Sequence, residues 1–562
     1  MRIGLLTDGG YPYATGESRL WCDRLVRGLA QHEFDLFALS RSAEQEARGW
    51  VRLPDRVRSV RTAPLWTADE ETRALHAPRG PLARLLTGGG THRYGRREQR
   101  LFATHFTDLA AAVCTAAPRV ADERFTRGLN GLADLAADHG GLPAALRSET
   151  AVRILEAACR APGTGRTVQT ATVADLLAFT GELDRALRPL SLDWYDEDGL
   201  AAVDLCHATS GGTAALPGLL AKRFFGTPLL VTEYAVRVRA HYLASGDAPA
   251  GAPVRALLAG FHGLLATEVY RQAALITPGN THARRWQQRC GADPAKLRTV
   301  YPGMESARFD ALGEREDDGG PDTLVWVGRI EPAKDLVTLL HAFARVHAAA
   351  PDTRLRIIGA PTPDPAGAGC LERCRAVAAR LFPDTDAVTF EETGGPGVPD
   401  VADAYAAGGV VVLSSVVEGF PISLVEAMFC GRATVSTDVG AVVEVIGGTG
   451  LVVPPRNPRA LADACLALLR DPARRARLGA AARARALELF TVEQNLTAFD
   501  GIYLDLIARA PRRDWEPPAA DEGPRPFATP PEFHMLDHWP DGADGECADR
   551  VPSRAGAGSA HA

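Results

Sequence analysis

Two glutamates, Glu418 and Glu426, stand eight positions apart where an apolar run gives way to a helix-forming segment. The run at 406–413 is apolar and bounded by turn residues, which predicts a buried parallel strand. Glu418 would then follow the carboxyl end of that strand, and Glu426 would lie about one turn into the next helix. Ligands of open α/β sheets bind at such strand ends and helix starts, so the two carboxylates could hold hydroxyl groups of one ligand. In most sequences, two glutamates at this spacing are solvated side chains.

Two cations follow a second predicted strand at 323–327. Arg329 would supply a planar fork and Lys334, at the start of a helix, a compact point charge, which together suit a pyrophosphate. The chain has only three lysines, Lys222, Lys296 and Lys334, amid abundant arginine. Because arginine supplies the general surface charge here, a lysine at this place favours phosphate binding over a solvated charge.

Three segments resemble the donor-site signatures of retaining glycosyltransferases of family 4. They are Gly328-Arg329 with Lys334, Glu418-Gly-Phe-Pro with Glu426-Ala-Met, and Val435-Ser-Thr-Asp-Val-Gly440 with Glu444. In the N-terminal half, Asp8-Gly-Gly-Tyr-Pro-Tyr13, Cys206-His-Ala208 and Leu230-Val-Thr-Glu-Tyr234 resemble the branch that contains the cytosolic glycosyltransferase of the Pel exopolysaccharide system.

This resemblance implies a GT-B-like α/β fold with two Rossmann-like, doubly wound domains that face a cleft. The reaction it implies is transfer of a hexosyl unit, with retention, from a nucleotide sugar such as UDP-glucose to a glycan or other acceptor in polysaccharide or glycoconjugate synthesis. Family members neutralise the diphosphate with protein cations, so no metal is implied.

The resemblance also assigns roles to individual residues. Arg329 and Lys334 would hold the diphosphate, helped by the backbone N–H groups of Ser423 and Leu424. Glu426 would bind the ribose and Glu418 the hexose. The remaining members of the predicted site lie in the N-terminal half: Gly10 in a glycine-rich loop against the donor, and His207, Glu233 and Tyr234 on the acceptor side.

The chain departs from the family pattern at two positions. Glu17 stands where the family carries a second glycine, and a carboxylate there would repel a diphosphate. Tyr234 stands where the branch has histidine, and a phenol cannot act as a base at neutral pH. These departures keep open a catalytically silent sugar-nucleotide-binding scaffold or sensor subunit. Another enzyme on the same scaffold, such as an epimerase or a glycogen-synthase-like polymerase, also stays open, as does a nucleotide-binding protein outside sugar chemistry.

The pattern of strands and helices predicts the domain organisation. Residues 1–310 would form the N-terminal acceptor-side domain, with a helical insertion at about 41–200, and 320–490 the C-terminal donor domain. A helix at 491–510 would cross back to the first domain, the segment 314–321 would link the domains, and the Pro- and Gly-rich residues 511–562 would form a disordered tail.

Composition excludes several classes of protein. The 562 residues are 46% hydrophobic with a net charge of −7, which does not favour nucleic acid as a partner. No apolar run approaches the length of a membrane span, and the first residues predict a strand, so we expect a cytoplasmic protein. The ten scattered cysteines predict reduced thiols. Recruitment to a membrane assembly, the acceptor and the oligomeric state stay open.

Overall fold

Two parallel sheets form the framework of the protein in this computed structural model. The structure describes residues 1–13, 18–65, 94–115, 118–234, 236–244, 251–313, 320–362, 365–383, 385–395 and 397–510. Glu17, most of the predicted linker at 314–321 and the predicted tail at 511–562 lie outside these residues. None of the described helices has the length and apolar character that crossing a bilayer requires.

The N-terminal sheet has six strands in the order β3-β2-β1-β4-β5-β6. These are β1 (Arg2–Asp8), β2 (Glu33–Ser40), β3 (Val57–Pro64), β4 (Leu205–Ala208), β5 (Leu229–Glu233) and β6 (Leu275–Pro278). All neighbouring strands are parallel, so their carboxyl ends lie at one edge of the sheet. The direction of the strand order reverses between β1 and β4, which makes this pair the topological switch point.

The helices of the N-terminal half connect these strands and cover their faces. They are α1 (Arg19–Gly28), α2 (Ala43–Ala47), α3 (Arg96–Cys114), α4 (Pro118–His139), α5 (Leu142–Leu146), α6 (Glu149–Cys159), α7 (Arg166–Gln169), α8 (Val173–Leu187), α9 (Leu216–Phe225), α10 (Arg237–Ala244), α11 (Ala252–Gln272) and α12 (Thr281–Arg289). A short helix between the two sheets, α13 (Asp310–Gly313), packs its Leu312 in the core of the C-terminal half.

Strand β3 corrects the expected helical insertion at about 41–200. Residues 57–64 extend the sheet beside β2, and the helices α3 to α8 follow only after this strand. Their apolar faces share one core with the sheet, in which Phe102 and Phe106 stack with their rings 5.3 Å apart. Ser148 separates α5 from α6, because its side chain accepts a hydrogen bond from the Ala151 N–H and begins α6.

The C-terminal sheet has the order β12-β11-β10-β7-β8-β9 and is also parallel. Its strands are β7 (Thr323–Val327), β8 (Arg354–Ile358), β9 (Val388–Glu391), β10 (Val410–Leu413), β11 (Ala433–Thr437) and β12 (Leu451–Val453). Its helices are α14 (Leu336–Ala349), α15 (Pro365–Leu381), α16 (Val401–Ala406), α17 (Ile422–Phe429), α18 (Val442–Ile446), α19 (Pro458–Leu469) and α20 (Pro472–Leu489).

Both faces of this second sheet are buried, which explains the continuous apolar runs of its strands. Along β7, Leu324 and Trp326 pack into the core on one face, whereas Val325 and Val327 pack into the core on the other. The short polar or glycine-containing segments that follow β7, β8 and β10 are therefore the places where functional side chains can emerge.

A last helix, α21 (Val492–Arg509), returns to the N-terminal half. Phe499, Ile502 and Tyr503 are fully buried in the core formed by β1, β2 and α1. At its polar edge, the His32 imidazole contacts the Asp500 carboxylate at 2.8 Å. Helix α21 thus supports the first sheet.

Candidate active site

A cavity of about 450 Å³ opens at the carboxyl ends of β7, β8 and β10. This volume lies within the roughly 300–1,000 Å³ that is typical of small-molecule sites. Five of the predicted site residues line it, namely Arg329, Lys334, Glu418, Ser423 and Glu426. Gly328 and Gly359 contribute backbone atoms to the lining of the cavity. They pack so closely that a Cβ atom on Gly359 would lie only 1.7 Å from the Gly328 carbonyl oxygen.

The two cations of this cavity have different partners. The Lys334 ammonium forms an ion pair with the Glu418 carboxylate at 2.5 Å, and both side chains are largely buried. The loop that carries Lys334 is fixed to the segment after β10, because the Ser414 hydroxyl donates to the Lys334 carbonyl oxygen at 2.8 Å. Arg329 is exposed and forms no ion pair with any residue of the described part of the chain. The cavity therefore offers one guanidinium directly and one ammonium that a ligand would share with Glu418.

Glu418 is anchored through one oxygen only. Its Oε1 accepts hydrogen bonds from Lys334 and, at 2.8 Å, from the Ser415 hydroxyl. Its Oε2 accepts none from the residues that the structure describes. Gly440 packs against the backbone of the loop that carries Glu418. Its φ of 57° favours glycine, and a Cβ at this position would lie only 2.3 Å from the Glu418 carbonyl oxygen.

Glu426, on α17, is anchored in the same manner. Its Oε2 accepts a hydrogen bond from the Tyr405 hydroxyl at 2.8 Å, and Oε1 has no partner within the described ranges. Burial raises the pKa of the Glu426 carboxyl above its ordinary value, and the hydrogen bond from Tyr405 offsets part of that rise. Each glutamate thus presents one oxygen that can accept a hydrogen bond from a ligand.

The start of α17 provides backbone donors beside these side chains. The Leu424 N–H already donates to the Pro421 carbonyl oxygen at 3.1 Å, so it differs from the free donor that the sequence predicts. The N–H of Ser423, one position earlier, makes no backbone hydrogen bond among the described residues. Ser423 is therefore the better placed of the two for an anion at this helix start.

Gly10 lies at the other sheet, directly after β1. A Cβ at this position would lie 2.1 Å from the Ser18 hydroxyl oxygen, so the loop and the start of α1 pack without room for a side chain. The adjoining Gly9 has a φ of 66° and donates its N–H to the Leu39 carbonyl oxygen at 2.8 Å. The structure thus places Gly10 at the switch point of the N-terminal sheet.

The predicted acceptor-side residues His207 and Glu233 lie in the interior. The His207 ring is fully buried and its two nitrogens contact the Tyr503 hydroxyl and the Thr232 hydroxyl, both at 2.7 Å. Burial lowers the pKa of this imidazole from 6.5 to about 3. Glu233 accepts hydrogen bonds from the Arg237 N–H at 2.9 Å and from the Tyr270 hydroxyl. Neither side chain lines an open surface, because helices pack over both strand ends.

Tyr234 is half-buried rather than open to a cleft. Its hydroxyl accepts a hydrogen bond from the Asn495 side chain at 3.2 Å, and its ring packs edge-on against Trp21. Burial raises the pKa of the phenol. Asn495 also donates to the Tyr301 carbonyl oxygen at 2.6 Å, so Tyr234 belongs to the contact between α21 and the segment that joins the two sheets.

The carboxyl edges of the two sheets face each other. Thr281 begins α12 shortly after β6, and the side chain of Asn280, the N-cap, accepts a hydrogen bond from the Ala283 N–H at 2.8 Å. The Glu444 carboxylate, on α18 after β11, accepts hydrogen bonds from the Thr281 N–H at 2.7 Å and from the Tyr301 hydroxyl at 2.9 Å. Strand ends of both halves therefore border one cleft.

Sequence reasoning missed a charged cluster on the N-terminal side of this cleft. Asp8, at the end of β1, forms ion pairs with Arg41 at 2.9 Å and with Arg237 at 3.6 Å. The only sequence signal was the position of each residue at or just after a strand, because nothing in the sequence shows that β1 and β2 are neighbours.

A second, smaller cavity of about 240 Å³ lies among the helices of the N-terminal half. Leu129, Leu216 and Leu220 contribute to its lining, and Lys222, which also borders it, donates to the Gln272 carbonyl oxygen at 2.6 Å. Because the Lys222 ammonium is already bound at the end of α11, this cavity is a weaker candidate for the active site than the cavity of about 450 Å³.

Comparison with known proteins assigns a different family to each half of the chain. Residues 321–471 match the family described as Glycosyl transferases group 1. Residues 1–295, more than half of the chain, match the family described as Domain of unknown function (DUF3492). Among curated relatives, the D-inositol 3-phosphate glycosyltransferase of Acidothermus cellulolyticus is 31% identical over 347 residues, which cover 59% of this chain and 72% of that protein.

A second relative covers less of its own length. The D-inositol 3-phosphate glycosyltransferase of Kribbella flavida is 32% identical over 280 residues, 47% of this chain, and the match spans 63% of that protein, less than two thirds of it. The chain belongs to the group 1 glycosyl transferases and, through its N-terminal half, to the DUF3492 family. The prediction of a glycosyltransferase is thus confirmed at the level of the family.

Solved structures share the fold. The crystal structure of Anabaena Alr3699/HepE in complex with UDP superposes with a TM-score of 0.52 at 15% identity and covers 90% of this chain and 100% of that one. Sucrose-phosphate synthase of Thermosynechococcus elongatus gives a TM-score of 0.50 at 19% identity, over 90% and 99% of the two chains. The predicted GT-B-like arrangement of two Rossmann-like domains is confirmed.

Proposed function

We propose that the protein transfers a hexosyl unit, with retention, from a UDP-sugar such as UDP-glucose to a hydroxyl group of a glycan or other acceptor. The observation that carries the proposal is the convergence of Arg329, Lys334, Glu418 and Glu426 on one cavity at the strand ends of the C-terminal sheet. Family 4 membership and the Pel-like branch are part of this proposal. The Anabaena protein that shares the fold was crystallised with UDP, which makes UDP the first nucleotide to test.

In this proposal the diphosphate lies between Arg329 and Lys334. Charge develops on the diphosphate as the bond to the sugar breaks, and two cations in a partly buried cavity stabilise that charge. The Ser423 N–H adds a neutral donor at the start of α17. Because Lys334 is paired with Glu418 before the ligand arrives, the incoming phosphate oxygens replace or share that carboxylate.

The two glutamates hold the other parts of the donor. Oε1 of Glu426 and Oε2 of Glu418 have no partner among the described residues. The first accepts a hydrogen bond from a ribose hydroxyl, and the second accepts one from a hexose hydroxyl. Tyr405 and Ser415 keep the carboxylates in place. Closure of the facing sheet edges excludes water, since hydrolysis is the competing reaction.

Thermal stabilisation of the purified protein by UDP, GDP, ADP and their glucose conjugates tests the donor assignment. A ligand that binds only the folded state raises stability by RT ln(1 + [L]/Kd). We expect a selective shift with UDP and UDP-glucose. The same shift with all three nucleotides, or none with any, would contradict the proposal. Stabilisation by UDP-glucose without any transfer or hydrolysis would instead favour a silent nucleotide-sugar sensor.

Two variants separate the roles within the cavity. We expect Lys334→Ala to weaken UDP binding by about tenfold or more, because a charge-assisted contact is lost and Glu418 is left unpaired near the phosphates. Glu418→Ala should abolish turnover but keep UDP affinity, since it frees the Lys334 ammonium. Lys296→Ala is the matched control, because this ammonium lies elsewhere, on the Arg271 carbonyl oxygen. Equal losses of UDP affinity in both cavity variants would undo the assignment.

The acceptor is best approached through the relatives. Both relatives named above are D-inositol 3-phosphate glycosyltransferases, so D-inositol 3-phosphate is the first acceptor to assay with UDP-sugars. A glucan acceptor in a parallel assay distinguishes a glycogen-synthase-like polymerase.

A further inference from the structure

Two cysteines from distant parts of the chain face each other inside the N-terminal half. The Sγ atoms of Cys114 and Cys159 lie 3.7 Å apart, although the two residues are 45 positions apart in the sequence. Cys114 is the last residue of α3 and Cys159 the last residue of α6, and both are buried in the core that these helices share with the sheet. A disulfide needs a sulfur–sulfur distance of about 2.05 Å, so a small approach of the two side chains would suffice.

The backbone beside both cysteines is held in place. Thr115, which follows Cys114, pairs with Thr164 in an isolated antiparallel bridge. The Thr164 hydroxyl donates to the Ala158 carbonyl oxygen at 3.1 Å, which folds the turn after α6 back onto the end of that helix. The two helix ends are thus fixed next to each other, and the thiols meet without any rearrangement of the fold.

The two thiols differ in reactivity. The contact with Cys114 lowers the pKa of Cys159, burial opposes this change, and the adjacent Arg160 adds to it. The same contact, together with burial, raises the pKa of Cys114. Because the thiolate is the nucleophile, Cys159 is the cysteine that reacts first. Exposed residues follow it at 160 and at 162–163, so a local opening of the helix end admits a small oxidant.

We propose that Cys114 and Cys159 form a reversible disulfide in the presence of a peroxide, and that this bond stabilises the N-terminal half. The Cys159 thiolate attacks one peroxide oxygen, which gives a sulfenic acid and releases the other oxygen as water. The Cys114 sulfur then attacks the Cys159 sulfur and displaces its oxygen as a second water. The two thiols thus lose two electrons and two protons to hydrogen peroxide, and a dithiol reverses the reaction. This inference does not depend on the proposed function.

The bond joins two separate helices and closes a long loop that contains α4 and α5. A crosslink of this kind restricts the unfolded chain, and the effect grows with loop length, so the oxidised protein should melt a few degrees higher than the reduced protein. Cys370 and Cys374 provide a contrast, because they lie four positions apart on the single helix α15. A bond between them would join no separate elements.

Peptide mass spectrometry of the full chain, before and after treatment with hydrogen peroxide, tests the bond. Trypsin should release Cys114 in residues 101–119 and Cys159 in residues 154–160, and neither peptide contains another cysteine. After oxidation we expect the two peptides joined, with a mass two hydrogens below their sum. Dithiothreitol should separate them again and return the melting temperature to that of the untreated protein.

Variants assign the effect to this pair. Cys159→Ala should abolish both the joined peptide and the rise in melting temperature, whereas Cys370→Ala should keep both. Each variant is compared with itself in the oxidised and reduced states, so a lower basal stability does not affect the result. If Cys159→Ala does not fold, the wild type alone decides through its joined peptide and its reversible melting shift. Thiols that stay reduced, oxidise to sulfinic acids or pair with other cysteines would overturn the inference, as would a joined peptide without a higher melting temperature.

Discussion

The buried histidine at the end of β4 yields a quantitative prediction about stability and pH. The His207 ring has no exposed surface and contacts two neutral hydroxyl groups, those of Tyr503 and Thr232. Among the described residues no carboxylate contacts this ring, and burial lowers its pKa from 6.5 to about 3. His207 should therefore be neutral in the folded protein at every pH at which the enzyme works.

The sign of the effect follows from where the proton binds. As the pH falls below 6.5, the unfolded chain takes up a proton on this histidine, whereas the folded chain does not until about pH 3. The folded state thus loses stability throughout that window and is unaffected above it. Linkage at about 1.4 kcal/mol per pH unit gives a loss of about 5 kcal/mol at the acidic limit. Between about pH 7.5 and about pH 5.5 the expected loss is about 1.4 kcal/mol.

Urea unfolding of the wild type and of His207→Asn at both pH values isolates this contribution. The asparagine variant should be less stable at neutral pH by about 1–3 kcal/mol, because a buried hydrogen-bond network is incomplete. From the higher to the lower pH it should lose about 1.4 kcal/mol less than the wild type, since it lacks the titrating group. The KM for the acceptor should stay the same.

Two results would refute this reasoning. Identical pH dependence of unfolding in the two proteins would mean that His207 is not held neutral by burial. A large rise in the acceptor KM, with unchanged unfolding, would return His207 to the acceptor role that the sequence suggests.

Three further predictions follow from single contacts. Glu444→Gln should lower the melting temperature, because a charged acceptor of the Thr281 N–H, the Thr281 hydroxyl and the Tyr301 hydroxyl becomes neutral. Thr281→Val, which removes the hydroxyl that donates to Glu444, should then cost less in the Glu444→Gln background than in the wild type. Gly359→Ala should weaken UDP binding and stability, because φ is 156° and the new Cβ would meet the Gly328 carbonyl oxygen, whereas Gly369→Ala, with open space around it, should not. Tyr405→Phe should raise the pKa of Glu426 further, so UDP affinity should begin to fall at a higher pH as the solution is acidified, and an unchanged pH profile would contradict this.

The C-terminal half could be predicted closely because its strands are buried on both faces. The strand expected at 323–327 is found at Thr323–Val327, and the strand expected at 406–413 is found, shorter, at Val410–Leu413. Continuous apolar runs leave few alternatives for such segments. The roles of Arg329, Lys334, Glu418 and Glu426 stay predictions, but their shared cavity is a finding.

The N-terminal half was harder because its signals are weaker or come from distant residues. Strand β3 lies at the sheet edge and has only two valines, Val57 and Val60, among arginine, serine and threonine. It therefore lacks an apolar run and falls within the helical insertion that the sequence predicts. The interior place of His207 depends on α21, whose Tyr503 lies 296 positions further along the chain. A strand-end position alone does not show whether a helix will cover the side chain.

The small number of lysines indicated that each makes a specific contact, but it did not indicate which of them binds a ligand. Lys222 and Lys296 donate to the carbonyl oxygens of Gln272 and Arg271, at 2.6 and 2.7 Å, where α11 ends. Cations are favourable at a helix C-terminus, so these two lysines have a structural task. Lys334 alone follows a strand of the C-terminal sheet, and that position, not rarity, distinguishes it.

The two clusters of side chains differ in how far their assembly depends on the order of the strands in the sheet. Arg329, Lys334, Glu418 and Glu426 come from 98 consecutive positions and from β7 and β10, which are neighbours, so each motif could be recognised on its own. Asp8, Arg41 and Arg237 meet only because β1 lies between β2 and β4 and because Arg237 folds back toward the loop after β4. The motifs of the proposed donor site are thus local in the sequence, whereas the cluster around Asp8 depends on the whole topology of the first sheet.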